Sequence, residues 1–311
     1  MTSEPANVRA IRARRTWIEN ATRELAKAPV SAWFGMIVIL VYAICAIFAP
    51  LIAPYGEADI VGKGYQPSSA EFWLGTDQIG RDLFSRLIYG ARNTIGIALL
   101  TTLTSFLVGG SLGVLTALVR GWLDQGISRL VDAFLAIPVL IFALMLLAVF
   151  GSSPFFSEHR WVLLVIILAL LDSTRVFRLA RATAMNVVVM DFVESAKLRG
   201  ENLTWIVFKE IVPNILPTLI TEFGLRFCFV FLTIASLSFL GVGIQPPTAD
   251  WGSMVAENKS LINFPVMTFP YIPVPFYPAA SYNGIRSPLL LRVSHHFRPL
   301  LPRRWHSTAD R

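Results

Sequence analysis

The sequence has few charged residues and almost no cysteine. Only 15% of the 311 residues are charged, whereas 54% are hydrophobic, and the mean hydropathy is +0.59. The two cysteines, Cys45 and Cys228, each lie within an apolar run and show no zinc-ligand spacing with the four histidines. A disulfide-stapled secreted domain, a zinc finger and a disordered chain are therefore excluded, and the composition indicates a membrane protein.

The sequence also lacks the common motifs of catalysis. It contains no G-x-x-x-x-G-K-[ST] phosphate loop, no H-E-x-x-H and no G-x-S-x-G. We therefore expect no catalytic residue, no metal site and no cofactor bound by this chain. The excess of 27 Lys and Arg over 20 Asp and Glu does not indicate a nucleic-acid partner, because the basic residues cluster beside apolar runs.

Five apolar runs meet or approach the length of about 20 residues that a membrane-spanning helix needs. They predict an all-α, polytopic helical bundle with spans at residues 33–53, 94–119, 130–150, 155–178 and 215–244. The fourth span is the weakest, because Asp172, Arg175 and Arg178 interrupt it; we expect its arginines to reach the headgroups. Lys and Arg are most frequent on the side that holds the amino terminus, which predicts a multi-pass protein of the inner membrane with a basic, cytoplasmic arm at residues 1–32.

Several residues within the spans stand out. Glu222 and Arg226 are four residues apart, so they share one helical face and can neutralise each other. An unpaired charge there would cost roughly 2.5 to 3.5 kcal/mol, so the pair faces protein or water; a translocation path and a helix-packing contact both remain open. Gly109 and Gly113 predict a close approach of two helices, and Pro138 predicts a kink in the third span.

The segment between the first two spans has helical periodicity. Its apolar stripe consists of Leu83, Phe84, Leu87 and Ile88, opposite Arg81, Asp82, Ser85 and Arg86, and Asp77 could cap it. This pattern predicts a separate amphipathic helix on the membrane surface.

Residues 191–213 predict a hairpin of two short helices on the cytoplasmic side. The first helix runs to Arg199, Gly200 forms the turn, and the second helix covers residues 202–212. Pro213 and Pro217 are then expected to redirect the chain into the fifth span. A short amphipathic helix held between two bends is suited to docking a partner.

Three blocks of sequence resemble one known family. Glu194-Ser195-Ala196, Gly200 and Ile211-Val212-Pro213 resemble the EAA loop of bacterial ABC importer permeases, with Ser195 in place of the usual alanine. LGTDQIGRDLFSRLIYGAR at residues 74–92 and ASLSFLGVGIQPPTADWGSM at residues 235–254 resemble the C-type subunit of the dipeptide, oligopeptide and nickel group. The resemblance implies that residues 33–260 form an ABC permease transmembrane domain with its coupling loop at residues 191–213.

The resemblance implies a transmembrane permease subunit of an ATP-driven importer for peptides or similar small solutes. Its partners would be membrane lipid, a second homologous permease, two cytoplasmic ATPases that hold ATP and Mg, and an extracytoplasmic substrate-binding protein. Glu194 would anchor the coupling loop, and Leu203, Trp205 and Ile206 are the residues expected to contact the ATPase. The alternative is a secondary transporter or channel that works without an ATPase, although such proteins more often carry ionisable residues in several spans.

The carboxy-terminal segment, residues 261–311, departs from the family's pattern. A sixth apolar span is expected there, but Pro265, Pro270, Pro273, Pro275 and Pro278 recur too often for a helix. Our hypothesis is that a frameshift near residue 263 replaced the sixth span with out-of-frame sequence.

Overall fold

The computed structural model describes residues 29–153, 156 and 159–259. The described residues form helices joined by loops, and no strand occurs among them; two isolated β-bridges pair Ile60 with Arg81 and Thr76 with Asp82. The all-α prediction is therefore confirmed for this part of the chain. Most of the basic arm and the proline-rich segment 261–311 lie outside the described residues.

Eight helices make up most of the described part of the chain. They are α1 (Val30–Ile47), α2 (Leu83–Val119), α3 (Trp122–Leu135), α4 (Val139–Phe150), α5 (Arg160–Val188), α6 (Asp191–Leu198), α7 (Leu203–Phe239) and α8 (Trp251–Asn258). A short helical turn, Ala49–Ile52, follows α1. Both α2 and α7 contain one π-helical segment, at Phe106–Gly110 and Ile206–Ile211 respectively.

Three of the described helices, α1, α2 and α7, are long and apolar enough to cross a membrane. The pair α3 and α4 would make a fourth span if it counts as one, although the two helices meet at an angle of 92°. This break lies at Pro138, which precedes the first residue of α4, so the predicted kink is confirmed, and the predicted span 130–150 stays a prediction. The described residues thus contain three to four apolar spans, and the predicted span within α5 stays a prediction.

The predicted surface helix before the second span is wrong. Residues 83–119 form one helix, α2, and its cap is Asp82, whose side chain accepts a hydrogen bond from the Ser85 backbone N–H, whereas Asp77 was expected to be the cap. The polar stripe is buried, and Arg86 is 0% exposed. The helical pattern gave a wrong prediction because Asp77 and Glu257, which lie outside α2, pair with Arg86 and compensate its charge without water.

The predicted bend after the second hairpin helix is also wrong. Residues Leu203–Phe239 form one continuous helix, with Pro213 near the start of its α-helical part and Pro217 inside it. A proline ring collides with the carbonyl group four residues earlier in a regular α-helix. The π-helical segment immediately before Pro213 widens the helix there, which allows the chain to continue without a sharp bend.

The buried core lies where α2 crosses α5. A Cβ atom on Gly113 would come within 2.7 Å of the Phe177 carbonyl oxygen, and one on Gly109 would overlap the Ser173 carbonyl. The predicted close approach through Gly109 and Gly113 is therefore confirmed. By contrast, no side chain of α1 is buried against the described part of the chain.

Candidate functional site

The hairpin of residues 191–213 is closed by a helix-ending motif at Gly200. The Gly200 N–H donates to the Lys197 carbonyl at 3.0 Å, and the Glu201 N–H donates to the Ala196 carbonyl at 3.2 Å. Gly200 has a φ of +80°, in the left-handed region, while a Cβ atom there would meet no neighbour within 4 Å. This is a Schellman motif, and glycine is required for its backbone conformation and not for lack of space.

One side of the hairpin is anchored in a hydrophobic core. Val193 and Ala196 of α6 and Ile206 and Ile211 of α7 are buried there, packed with residues of α2 and α5. Ile206 was predicted to contact a partner, but it is only 1% exposed. Its side chain therefore holds the hairpin against the bundle and is not available for contact in this conformation.

The other side of the hairpin presents large apolar side chains. Leu198 is 83% exposed, Leu203 61% and Phe208 65%. Of these three residues, only Leu203 is predicted from the sequence to contact a partner. Trp205 is half-buried, with the Arg199 guanidinium 5.9 Å from its ring centroid. The structure thus separates buried, anchoring side chains of the hairpin from exposed apolar ones, and we call the exposed set Leu198, Leu203 and Phe208 the docking face.

The remaining residues of the family motif lie at the hairpin surface. Glu194 and Ser195 are exposed, Ala196 is buried, and Pro213 is exposed at the start of the long α7 helix. The small side chain at position 196 fits because that position faces the core.

A charge network joins three helices within the spans. The Arg226 Nε donates to Glu222 Oε1 at 2.7 Å, so the predicted pairing of these two residues is confirmed. Arg226 Nη1 also lies 3.7 Å from Asp172 Oδ1 on α5, and Asp172 Oδ2 accepts a hydrogen bond of 3.0 Å from the Ser105 hydroxyl on α2. The network connects α2, α5 and α7 just before the π-helical segment of α2.

The sequence by itself predicts only half of this network, the pair Glu222–Arg226. The sequence pattern marks Asp172 as an interruption of the fourth span and gives no role to Ser105. The signal was present, because an acidic residue inside an apolar run needs a partner from another helix. Only the tertiary structure identifies that partner as Arg226, which lies 54 positions further along the chain.

A second ionic cluster links the start of α2 to α8. Asp77 Oδ2 lies 2.6 Å from Arg81 Nε and 2.7 Å from Arg86 Nη1, and Arg86 Nη1 also lies 2.7 Å from Glu257 Oε2. Burial acts to raise the pKa of Asp77, but hydrogen bonds and the positive charge from Arg81 outweigh it, so the pKa is lowered below its usual value. The cluster thus links the segment 77–86 to α8, the last described helix.

Within the described ranges, no group of three or more His, Cys, Asp or Glu side chains is placed to hold a metal ion. The features that could carry function are therefore the docking face and the charge network within the spans.

Comparison with known proteins identifies the family. Residues 109–280 match the family described as "Binding-protein-dependent transport system inner membrane component", and residues 23–67 match the "N-terminal TM domain of oligopeptide transport permease C". Among similar proteins, the "Glutathione transport system permease protein GsiD" of Pectobacterium atrosepticum is 32% identical over 278 residues, which cover 86% of this chain and 88% of the relative. The "Di/tripeptide transport system permease protein DppC" of Pseudomonas aeruginosa is 34% identical over 235 residues, covering 73% of this chain and 75% of the relative. The chain therefore belongs to the family of inner-membrane permease components of binding-protein-dependent ABC transport systems, which are transmembrane, non-catalytic subunits.

Proposed function

We propose that this chain is one of two homologous permease subunits that form the translocation path of an ATP-driven importer for peptides or similar small solutes. Similar proteins carry names of glutathione, dipeptide and tripeptide transport systems, which supports this class of substrate. In the proposed assembly, two cytoplasmic ATPases hold ATP and Mg, and an extracytoplasmic binding protein delivers the solute.

The docking face carries the proposal. Exposure of Leu198, Leu203 and Phe208 to water does not stabilise the protein. Burial of each side chain against a partner would contribute about 1.5–3 kcal/mol to the free energy of binding. The opposite face of the hairpin is fixed in the core that α2 and α5 share. A force applied to the docking face by an ATPase would therefore be transmitted directly to these helices and to α7, which is continuous with the hairpin.

The proposed topology has five spans and a cytoplasmic amino terminus. Helix α5 serves as the remaining span, since the charge of Asp172 is compensated by Arg226 and Arg175 and Arg178, in its second half, can reach the headgroups. Glu194 and Gly200 then lie in the cytoplasm, where the ATPases are.

The translocation path is proposed to follow the polar side of α7. Thr218, Thr221 and Glu222 line one depression of the surface, and Thr233 lines another together with Asp172 of α5. From Thr218 to Thr233 the helix rises by about 22 Å, which is most of the thickness of the hydrocarbon core. A polar track of this length is costly against lipid, so it is expected to face the second permease or water.

Copurification of the ATPases from native membranes tests the proposal. The double variant Leu203→Asp/Phe208→Asp is expected to reduce the amount of copurifying ATPase at least tenfold, because charges replace two apolar contacts. The matched control is Leu123→Asp, which changes an exposed leucine in the first turn of α3, on the proposed cytoplasmic side. Equal recovery of the ATPases with all variants would refute the docking role.

Energy dependence separates the proposal from the alternative. An importer of this class takes up solute only when ATP is hydrolysed by its partners. Uptake into vesicles that lack the ATPases, driven by an ion gradient, would instead support a secondary transporter or channel.

A further inference from the structure

Helix α3 lies at a right angle to the apolar helix that follows it. Its 14 residues form a rod of about 20 Å, and α4 leaves it at 92° after the break at Pro138. Phe142 and Leu147 of α4 share a buried core with Leu164 and Leu168 of α5, so α4 lies beside the apolar half of α5. In the proposed topology α4 and α5 cross the membrane, and α3 therefore lies along its plane.

Helix α3 is fixed to α5 at the level of the arginines that reach the headgroups in the proposed topology. The Arg181 guanidinium donates to both carboxylate oxygens of Asp124, in the first turn of α3, at 2.5 and 2.6 Å. Arg175 and Arg178 lie within about two turns of Arg181 on α5. From Arg160 to Arg178 the helix rises by about 27 Å, close to the hydrocarbon thickness of about 30 Å. The contact with α5 therefore puts α3 at the headgroup level on the proposed cytoplasmic side.

The side chains of α3 divide among three sectors of its surface, since successive residues are about 100° apart. Asp124 and Val131 are buried against the bundle. Leu123 and Leu130 are exposed on one flank of this buried sector. The exposed polar side chains lie on the other flank: Gln125, Arg129 and Asp132. A helix that lies in a membrane interface has this pattern, with its apolar flank toward the acyl chains and its polar flank toward water.

The apolar flank faces the side on which α4 enters the membrane. Phe134 lies one turn after Leu130 on the same flank, and its ring stacks on Phe142 of α4 with 5.7 Å between the centroids. Helix α4 continues this apolar surface with exposed side chains such as Ile141. The apolar flank of α3 is thus continuous with a surface that meets lipid in the proposed topology, which makes lipid the occupant of this flank.

The charges on and beside α3 match an anionic lipid. The charge of Asp124 is neutralised by Arg181. Arg129 of α3 and Arg178 of α5 are exposed, and neither forms an ion pair with any residue that the structure describes. Basic side chains at the surface of an anionic leaflet are attracted to it. Trp122, the first residue of α3, is 80% exposed, and tryptophan is enriched at the headgroup level of membranes.

We propose that α3 is an interfacial helix that binds anionic lipid in the cytoplasmic leaflet. Leu123 and Leu130 lie among the acyl chains, and Trp122 lies at the headgroup level. Arg129 and Arg178 bind lipid phosphate groups. This inference rests on the proposed topology for the choice of leaflet, and it requires neither the ATPases nor a particular solute.

Spin labels on the two flanks of α3 provide the first test. The native cysteines, Cys45 and Cys228, are replaced by serine, and the assembled transporter is reconstituted in vesicles of phosphatidylethanolamine and phosphatidylglycerol. A nitroxide on Leu130→Cys is expected to collide roughly threefold more often with oxygen, which dissolves in lipid, than with a water-soluble nickel chelate. A nitroxide on Gln125→Cys, on the polar flank, is expected to show the opposite preference.

A label on the exposed Ile141→Cys of α4 serves as the lipid-facing reference. A Leu130→Cys label that behaves like the Gln125→Cys label would place the apolar flank in water. A Leu130→Cys label that is shielded from both reagents would place this flank against a protein subunit. Either result overturns the proposal.

Lipid selectivity tests the role of the two arginines. Spin-labelled phosphatidylglycerol is expected to be immobilised at the wild-type protein in preference to spin-labelled phosphatidylcholine. The double variant Arg129→Gln/Arg178→Gln is expected to lose roughly half of this preference or more. The matched control Lys63→Gln/Lys197→Gln, which removes the same charge from exposed positions outside α3 and α5, is expected to keep it. Equal preferences of the two double variants would refute the phosphate contacts.

The two tests are independent of the transport function. Neither measures solute uptake or ATPase binding, so a failure of the proposed docking role leaves their outcomes unchanged. If Arg129→Gln/Arg178→Gln does not assemble, the labels on Leu130→Cys and Gln125→Cys decide, because those variants keep both arginines.

Discussion

Replacement of Gly200 by valine tests whether the shape of the hairpin couples the ATPase to the path. Gly200 has a φ of +80°, and a residue with a Cβ atom pays about 1–2 kcal/mol to adopt the left-handed region. Since no neighbour lies within 4 Å of the Cβ position, this conformational cost is the whole expected effect. A cost of 1–2 kcal/mol lowers the population of the native turn about 5- to 30-fold relative to competing loop conformations.

The expected result is a lower uptake of solute for each ATP hydrolysed, with normal insertion into the membrane. Uptake and phosphate release are measured on the same proteoliposomes. Gly200→Asn should be milder, because asparagine enters the left-handed region more readily. The matched control is Gly126→Val on α3, where the glycine is helical and a Cβ atom also meets nothing within 4 Å. A Gly200→Val transporter with the same coupling ratio as Gly126→Val would refute the reasoning.

Three further predictions follow from the packing, the ionic cluster and the tail. Gly109→Ala should destabilise the purified protein by about 1–3 kcal/mol, whereas Gly110→Ala, where a Cβ atom meets no neighbour, should not; thermal unfolding in detergent compares them. Asp77→Asn should cost about 3–5 kcal/mol because it leaves two buried arginines, Arg81 and Arg86, to share the carboxylate of Glu257, with the exposed Glu71→Gln as control. Because the folded pKa of Asp77 is lowered, its stabilisation is present at neutral pH and is lost as the pH falls below the ordinary carboxyl range, so the gap between wild type and Asp77→Asn should narrow in acid. We also propose that the segment after residue 263 is out of frame, which predicts an apolar helix of about 20 residues in another reading frame of the coding DNA; its absence from both other frames would end that hypothesis.

The candidate site was partly predictable because two of its features depend only on residues that are close in sequence. The sequence placed the hairpin turn at Gly200, since a helix that ends in a left-handed residue favours glycine. It also paired Glu222 with Arg226, because their spacing puts them on one helical face. It could not separate Leu203 from Ile206, which are three positions apart, because that requires knowing which side of the hairpin meets the bundle.

The errors have one physical cause. The helical pattern at the start of α2 predicts a solvated face for its arginines, and the prolines after the hairpin predict bends. In the structure, Asp77 and Glu257 pair with the buried Arg86. A π-helical segment before Pro213 allows the helix to continue through this proline. Each of these solutions depends on atoms that are distant in sequence or on a change in helix geometry that composition does not reveal.

Composition and periodicity alone therefore determined that this protein is a helical membrane protein, since hydrocarbon tolerates few other backbones and apolar length sets the spans. The short blocks around Glu194 and Gly200 determined the family. Tertiary structure alone decided that Asp172 meets Arg226 and Ser105, because the cost of a charge in an apolar interior is met only by groups that folding brings from other helices.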